Sequence, residues 1–253
     1  MTITGTTRTV TAADRPDLAP GVFEVLASRW PAYMLAGQPG HGVDLTALLA
    51  GGAPQHQILL LDGEDRVLGV GLSLPIDWDR TVEGLPAGWD AVVAGSAELI
   101  AAGRHPTMVS ALSVTLVPEA SGQGLAGQVI RAMKAAAVSI GAPGMLVPVR
   151  PVWKPRYPLI AMQRYAGWRN ADGEAFDPWL RLHLRLGARQ LKVVESSLTV
   201  TGTVSEWETW TGMPLPDSGE YVVPGGVVPL SVDRDLDRGL YSEPNIWVHH
   251  LPD

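Results

Sequence analysis

The stretch Ala111-Leu-Ser-Val-Thr-Leu-Val-Pro-Glu-Ala-Ser-Gly-Gln-Gly-Leu-Ala-Gly-Gln-Val-Ile-Arg-Ala-Met-Lys134 reads as a strand, a glycine-punctuated turn and a helix. Val114, Leu116 and Val117 are apolar and strand-prone, and Pro118 ends the pairing because it has no N–H to donate. Ser121, Gly122, Gln123 and Gly124 form a tight loop, after which Leu125, Val129, Ile130 and Met133 recur at helical spacing on one face. A glycine loop feeding a helix N-terminus leaves backbone N–H groups unpaired and aimed at one point, and the helix dipole adds partial positive charge there. The physical expectation is an anion site, most often for a phosphate or pyrophosphate. A Walker loop requires Gly-Lys-Ser or Gly-Lys-Thr at the helix start, where this chain has Gly124-Leu125-Ala126. A dinucleotide fingerprint places its first glycine directly after the strand with an acidic residue downstream, and neither feature is present.

The bulk properties narrow the partners. The chain has 253 residues, of which 46% are apolar, enough to bury a full core. A net charge of −7 without any basic run argues against nucleic acid and anionic membranes. No apolar run reaches the length of a membrane span, and the N-terminal residues lack the apolar core of a signal peptide. The absence of cysteine excludes disulfides, thiolate metal sites and cysteine nucleophiles. A cytoplasmic protein without a metal is expected, its oligomeric state open.

Outward from the opening stretch, Pro16 to Leu35 is expected to form a helix, with Leu18, Val22, Val25 and Leu26 on one side. Gln57 to Pro75 reads as a β-hairpin turning around Asp62-Gly63-Glu64-Asp65, and Trp89 to Ala102 as a helix. Gly144 to Arg150 is a short buried strand, and a helix ends near Trp168. Asp177-Pro178 opens a further helix as N-cap and first residue, and Gly187 closes it. Gln190–Val194 and Ser197–Gly202 read as two strands. Residues 219–250 carry short apolar runs, split by Pro and Gly, that either add strands or pack as an irregular extension.

The run Val117 to Ala126 resembles the pyrophosphate loop of the GNAT acyltransferase superfamily, Gln/Arg-x-x-Gly-x-Gly/Ala after a strand that often ends in Pro. Gly124 and Ala126 match, whereas Ser121 stands where Gln or Arg is usual. The family's C-terminal half has a helix ending in Tyr-x-x-x-Gly-Phe, and His183-Leu-Arg-Leu-Gly187-Ala188 has the same spacing. The resemblance spans roughly residues 55–202. It implies an α/β fold of GNAT type: a mixed, mostly antiparallel central sheet flanked by helices, with residues 1–202 as the acyl-CoA-binding domain and 203–253 as an extension packed on it. It implies acetyl-CoA or another acyl-CoA as substrate, with the pyrophosphate on the N–H groups of Gly122, Gln123, Gly124, Leu125, Ala126 and Gly127 and the thioester carbonyl near Leu116 and Val117. It further implies direct acyl transfer to an amine, hydroxyl or carrier thiol on a small-molecule or carrier-bound acceptor, with His183 taking the place of the family's proton-donating Tyr.

A general base is less evident. Ser113 and Thr115 lie on the central strand, and Glu119 and Glu195 sit beyond strand ends, where surface charge explains them. Arg150, Lys154 and Arg156 fit either a phosphate or solvent. The pattern from Arg156-Tyr-Pro-Leu159 through Trp168, Asp172-Gly173 and Phe176-Asp-Pro-Trp-Leu-Arg-x-His183 to Gly187-Ala188 also resembles GNAT-like decarboxylase domains of polyketide-synthase loading modules. That branch uses a His together with a Thr on malonyl thioesters. Decarboxylation is therefore an alternative to transfer, and a non-catalytic acyl-CoA-binding module is another.

Overall fold

The structure, a computed structural model, describes residues 6–39 and 42–251. Its strands are β1 (Arg8–Thr11), β2 (Gln38–Pro39), β3 (Ile58–Leu61), β4 (Val67–Ile76), β5 (Met108–Leu116), β6 (Met145–Val149), β7 (Ala188–Gly202), β8 (Gly219–Tyr221), β9 (Leu230–Asp233) and β10 (Arg238–His250). Its helices are α1 (Ala19–Ala27), α2 (Ala32–Ala36), α3 (Leu45–Ala47), α4 (Trp89–Ala101), α5 (Leu125–Ser139), α6 (Met162–Ala166), α7 (Pro178–Arg185) and α8 (Val204–Thr211). One mixed sheet runs in the order β1-β3-β4-β5-β6-β10-β7-β2, with β9 on β10 and β8 on β9. All these neighbours are antiparallel except β5 and β6. This is the mostly antiparallel, helix-flanked α/β sheet that the resemblance implies.

Burial explains the sheet's centre. Every residue of β3 and β4 is buried, so these strands read as continuous apolar runs rather than alternating ones. The amphipathic α5 lays Val129, Ile130, Met133 and Ala137 on the sheet. Gly71 permits that approach, because a Cβ there would stand 2.5 Å from the Met133 sulfur and 2.7 Å from Val129 Cγ1.

Two expectations are revised, and one open alternative is decided. The single helix over Pro16–Leu35 is a 3₁₀ turn, Pro16–Leu18, followed by α1 and α2. The break falls at Trp30-Pro31, where Pro31 takes an extended ψ of 144° and disfavours helix in the residue before it. The strands expected at Gln190–Val194 and Ser197–Gly202 are one strand, β7, interrupted by a bulge: Leu198 faces Glu243 and Val194 faces Asn245, so Glu195–Ser197 lie opposite Pro244 alone. Pro244 has no N–H for the ladder, and the extra residues of β7 take up the slack. Finally, the segment after residue 202 adds strands. Its longest, β10, lies inside the sheet between β6 and β7.

Candidate active site

The sheet opens at its one parallel pair. Only Val109↔Met145 and Ser110↔Leu146 join β5 to β6, although β5 continues to Leu116 and β6 to Val149. Beyond those pairs the two strands part around a cavity of about 690 Å³, lined by Ala111–Leu116 on one side and Val147–Arg150 on the other. Each facing edge presents backbone N–H and C=O groups that a neighbouring strand would otherwise engage. An extended chain with an amide backbone can hydrogen-bond there.

The glycine loop closes one end. Pro118–Ala120 forms a 3₁₀ turn, and Gly122 and Gly124 both take φ of +76°, left-handed backbone that glycine adopts without strain. Gly124 is the N-cap of α5, and Ser121, Gly122, Gly124, Leu125 and Ala126 line the cavity with Leu116. The N–H groups of Leu125 and Ala126 have no acceptor within the helix, so they and the dipole of a 15-residue helix meet at the cavity end.

Three other expected residues lie beside the cavity rather than in its wall. The Val117 N–H donates to the Leu68 carbonyl at 2.9 Å, and the Gly127 N–H to the Gly124 carbonyl at 3.1 Å. The Gln123 side chain donates to the Glu119 carbonyl at 2.6 Å. A cation that sequence reasoning missed sits at the rim: the Arg29 guanidinium is 3.4 Å from the Ser121 hydroxyl and lines the cavity. It reaches the loop from the α1–α2 connection, so no local pattern announces it.

His183 lies in the cavity wall on α7. Asp177 fixes that helix: one carboxylate oxygen accepts from the N–H groups of Trp179 (2.9 Å) and Leu180 (3.1 Å). The other accepts from the Trp153 N–H (2.8 Å) and the Tyr165 hydroxyl (3.0 Å). Capping at both ends of the expectation, Asp177-Pro178 and Gly187, is as the sequence implies, with Gly187 at φ +85°. Trp179, Leu182 and His183 face the cavity, the indole meeting the imidazole edge-on at 4.6 Å between centroids.

The imidazole is 1% exposed, and its Nδ1 lies 2.8 Å from Nε2 of His250. Its Nε2 has no partner among the described residues. Burial, and then the adjacent His250, push its pKa down to about 3, so the ring is neutral at physiological pH. His250 stands 67 positions from His183 in the chain and meets it only because β10 is inserted in the sheet.

The opposite wall is polar. Arg150 and Glu243 line the cavity as an ion pair, with the Arg150 Nε 3.0 and 2.9 Å from the two carboxylate oxygens. The Tyr241 hydroxyl donates to Oε2 of Glu243 at 2.8 Å, and Arg150 Nη2 donates to the Gly225 carbonyl at 2.7 Å. Asn245 lies alongside, its amide oxygen accepting from the Ser197 hydroxyl at 2.6 Å. Ser113 and Thr115 share a 2.7 Å hydrogen bond in the β5 wall, and the Trp30 indole N–H donates to Thr115 at 3.1 Å.

Glu119 is paired with Arg66, and Glu195 is exposed; neither lines the cavity. The Lys154 ammonium is buried on the carbonyls of Tyr157, Pro158 and Val227, and the Arg156 guanidinium lies over the Trp153 ring. Trp153, Tyr157, Tyr165, Trp168 and Phe176 pack on one another, as core aromatics do. Glu243 did carry a sequence signal: it is a lone carboxylate in the apolar run Leu240-Tyr-Ser-Glu-Pro-Asn-Ile-Trp-Val248.

Comparison with known proteins bears on this geometry. No family model matches the chain. A curated relative, the arginine N-acetyltransferase avaD of Aspergillus versicolor, is 31% identical over 269 residues, covering 95% of this chain and 92% of the relative. The loading GNATL domain of CurA from Lyngbya majuscula superposes with a TM-score of 0.61 at 17% identity, covering 98% of each chain. The GphF GNAT-like decarboxylase in complex with isobutyryl-CoA superposes with a TM-score of 0.58 at 17% identity, covering 98% of this chain and all of the other. At that identity the two structures speak for the fold alone, and the near-full-length relative speaks for the enzyme class. With the parted strands and the glycine loop already in view, the chain belongs to the GNAT superfamily and is an acyltransferase of GNAT type.

Proposed function

We propose that this protein transfers an acyl group from an acyl-CoA, acetyl-CoA in the simplest case, to an amine nitrogen of an amino acid such as arginine. The observation that carries the reading is the single cavity that joins the N-terminus of α5, the free edges of β5 and β6, and the unpartnered Nε2 of His183. The near-full-length relative, named for arginine N-acetylation, supports the acceptor class. In this reading the pyrophosphate rests on the N–H groups of Gly124, Leu125 and Ala126, with Arg29 at its flank. The pantetheine amides pair with the open edge of β5, and the thioester enters the gap between the strands. Binding along the sheet fixes the thioester carbonyl against the incoming amine, the positioning that lowers the barrier most directly.

The amine, its ammonium proton already lost to solvent, attacks the thioester carbon with the free nitrogen lone pair and the C–N bond forms. Once bonded to that carbon, the nitrogen's N–H is far more acidic than in the free ammonium, and the neutral imidazole, a weak base, relays that proton toward sulfur rather than storing it. In the tautomer that carries its proton on Nδ1, His183 accepts at Nε2 while Nδ1–H faces His250 Nε2 at 2.8 Å, which spreads the transient charge over both rings. The C–S bond breaks as the carbonyl re-forms, and the same Nε2–H protonates the departing thiolate. One proton thus passes from amine to sulfur, and the histidines return to their starting state.

The assay that tests this measures free thiol from acetyl-CoA with and without L-arginine. Thiol release that requires the amine is the expected result. Conversion of malonyl-CoA to acetyl-CoA without an amine would replace transfer by decarboxylation, and binding without turnover of either thioester would reduce the protein to an acyl-CoA-binding module.

A further inference from the structure

The Arg150–Glu243 pair is a cavity-lining ion pair, and its geometry leaves donors to spare. A guanidinium that only neutralises a carboxylate commonly presents two parallel N–H groups to its two oxygens. Here a single Nε–H is shared between both oxygens of Glu243, and Nη2 donates to the Gly225 carbonyl. Beyond these bonds and the neighbouring Tyr33 hydroxyl, the five-donor guanidinium keeps N–H groups to spare, and the side chain is 28% exposed on the cavity wall. Glu243 has the complementary vacancy. Its side chain is 2% exposed, Oε2 carries the Tyr241 hydroxyl, and Oε1 receives only the shared Nε–H.

The framework beneath the pair is rigid: the Tyr241 hydroxyl accepts the Val227 N–H at 2.9 Å, and the Pro244 bulge in the β7–β10 ladder sets the direction of Glu243. A buried ion pair adds little stability relative to well-packed apolar side chains, so the placement calls for another use. The buried hydroxyl of Tyr33, whose ring lies 5.2 Å from that of Tyr241, completes the same cluster beside Tyr241 and Arg150.

We infer that Arg150 and Glu243 form the head-group site for the acceptor, and that the class they select is a zwitterionic α-amino acid. A spare Arg150 N–H takes the α-carboxylate, and Glu243 Oε1 takes the ammonium, whose extra proton passes to solvent before the free amine attacks. Charge balance favours that class. The pair is neutral, and a zwitterion leaves the pocket neutral, whereas a simple amine would bury one uncompensated positive charge. This inference rests on the acceptor reading above and makes it specific, because it separates amino acids from their decarboxylated amines.

The test has two arms on the full chain. Calorimetric titration in the presence of CoA compares L-arginine with agmatine, which lacks only the carboxylate. L-Arginine is expected to bind at least tenfold more tightly, and Arg150→Gln and Glu243→Gln to remove that preference while CoA affinity stays near wild type, even though each variant unpairs a buried charge and lowers the melting temperature. Equal binding of the two ligands, or a preference that survives Arg150→Gln, overturns the inference whether or not the enzyme turns over. If Arg150→Gln does not fold, the isosteric Glu243→Gln decides alone. In the second arm, kcat/KM with acetyl-CoA is expected to favour L-arginine over agmatine by roughly a hundredfold, the scale of an unpaired buried charge. Amine-dependent turnover without that preference overturns the head-group site and leaves acyl transfer standing. L-Arginine binding without any amine-dependent thiol release supports the site and overturns the transfer reading.

Discussion

In the proposed reaction His183 works as a neutral imidazole. Its ring is buried, His250 lies against Nδ1, and a pKa near 3 keeps both nitrogens uncharged at neutral pH. The chemistry therefore depends on which nitrogen carries the proton, and His250 decides that through one hydrogen bond. Replacing His183 by Ala is expected to lower kcat about a hundredfold while leaving acyl-CoA affinity unchanged, as steady-state kinetics and equilibrium binding would show. A turnover equal to wild type would reduce the residue to packing. His183 was legible in the sequence because Asp177-Pro178 and Gly187 frame its helix and fix its spacing. His250 and Arg29 were not, because each reaches the site across the sheet or from another connection, and no local periodicity encodes such a meeting. Glu243 lies between these cases: a lone carboxylate in an apolar strand is a visible anomaly, but its partner Arg150 is 93 positions away.

Two element ends carry predictions of their own. In the proposed pyrophosphate site, the N-terminus of α5 binds through backbone groups exposed by Gly122 and Gly124. Gly124→Glu is expected to abolish acyl-CoA binding, since it sets a carboxylate against a pyrophosphate. Gly124→Ala, strained by about 1 kcal/mol at positive φ, should retain measurable binding. Unchanged affinity in Gly124→Glu would refute the loop's role.

The N-terminus of α4 docks on β7, where Asp90 accepts the Thr199 N–H at 2.8 Å and leaves its other oxygen buried and unpartnered. Burial raises this carboxyl to about 6. The folded state thus holds the proton more tightly than the unfolded state, whose value is near 3.8; the associated stability is present at low pH and is lost as pH rises through 6. Asp90→Asn keeps the acceptor and removes the charge. It should raise the melting temperature at pH 8, keep roughly half of that gain at pH 5 and lose most of it at pH 4; a gain of equal size at pH 8 and pH 4 would contradict the assignment.

The elements themselves were largely legible, since β3, β4, β5, α4, α5 and α7 follow apolar period and capping residues. The break that sequence reading placed after Val194 marks the bulge opposite Pro244, a local irregularity that looks in one dimension like two strands.

At the scale of the molecule, the decisive feature is the insertion of β10 between β6 and β7. It completes the sheet, and it delivers Glu243, Asn245 and His250 to the cavity region from the last residues of the chain. The sequence leaves that segment as strands or an irregular extension, because its position in the sheet depends on pairing with partners 37 to 105 residues away, which composition does not specify. We propose that the chain folds as one unit through this strand. A variant ending at residue 237 should show no cooperative unfolding by circular dichroism; a cooperative transition in it would mean that the first part of the chain is stable alone.

The central claim, acyl transfer from a thioester held in the parted strands to an amine, is tested most directly with acetyl-CoA carrying ¹³C in the acetyl group. Mass spectrometry of the mixture with L-arginine should find the labelled acetyl group on an acceptor nitrogen in equal amount to free CoA. Intact acetyl-CoA and unmodified acceptor after prolonged incubation with folded protein would contradict the account.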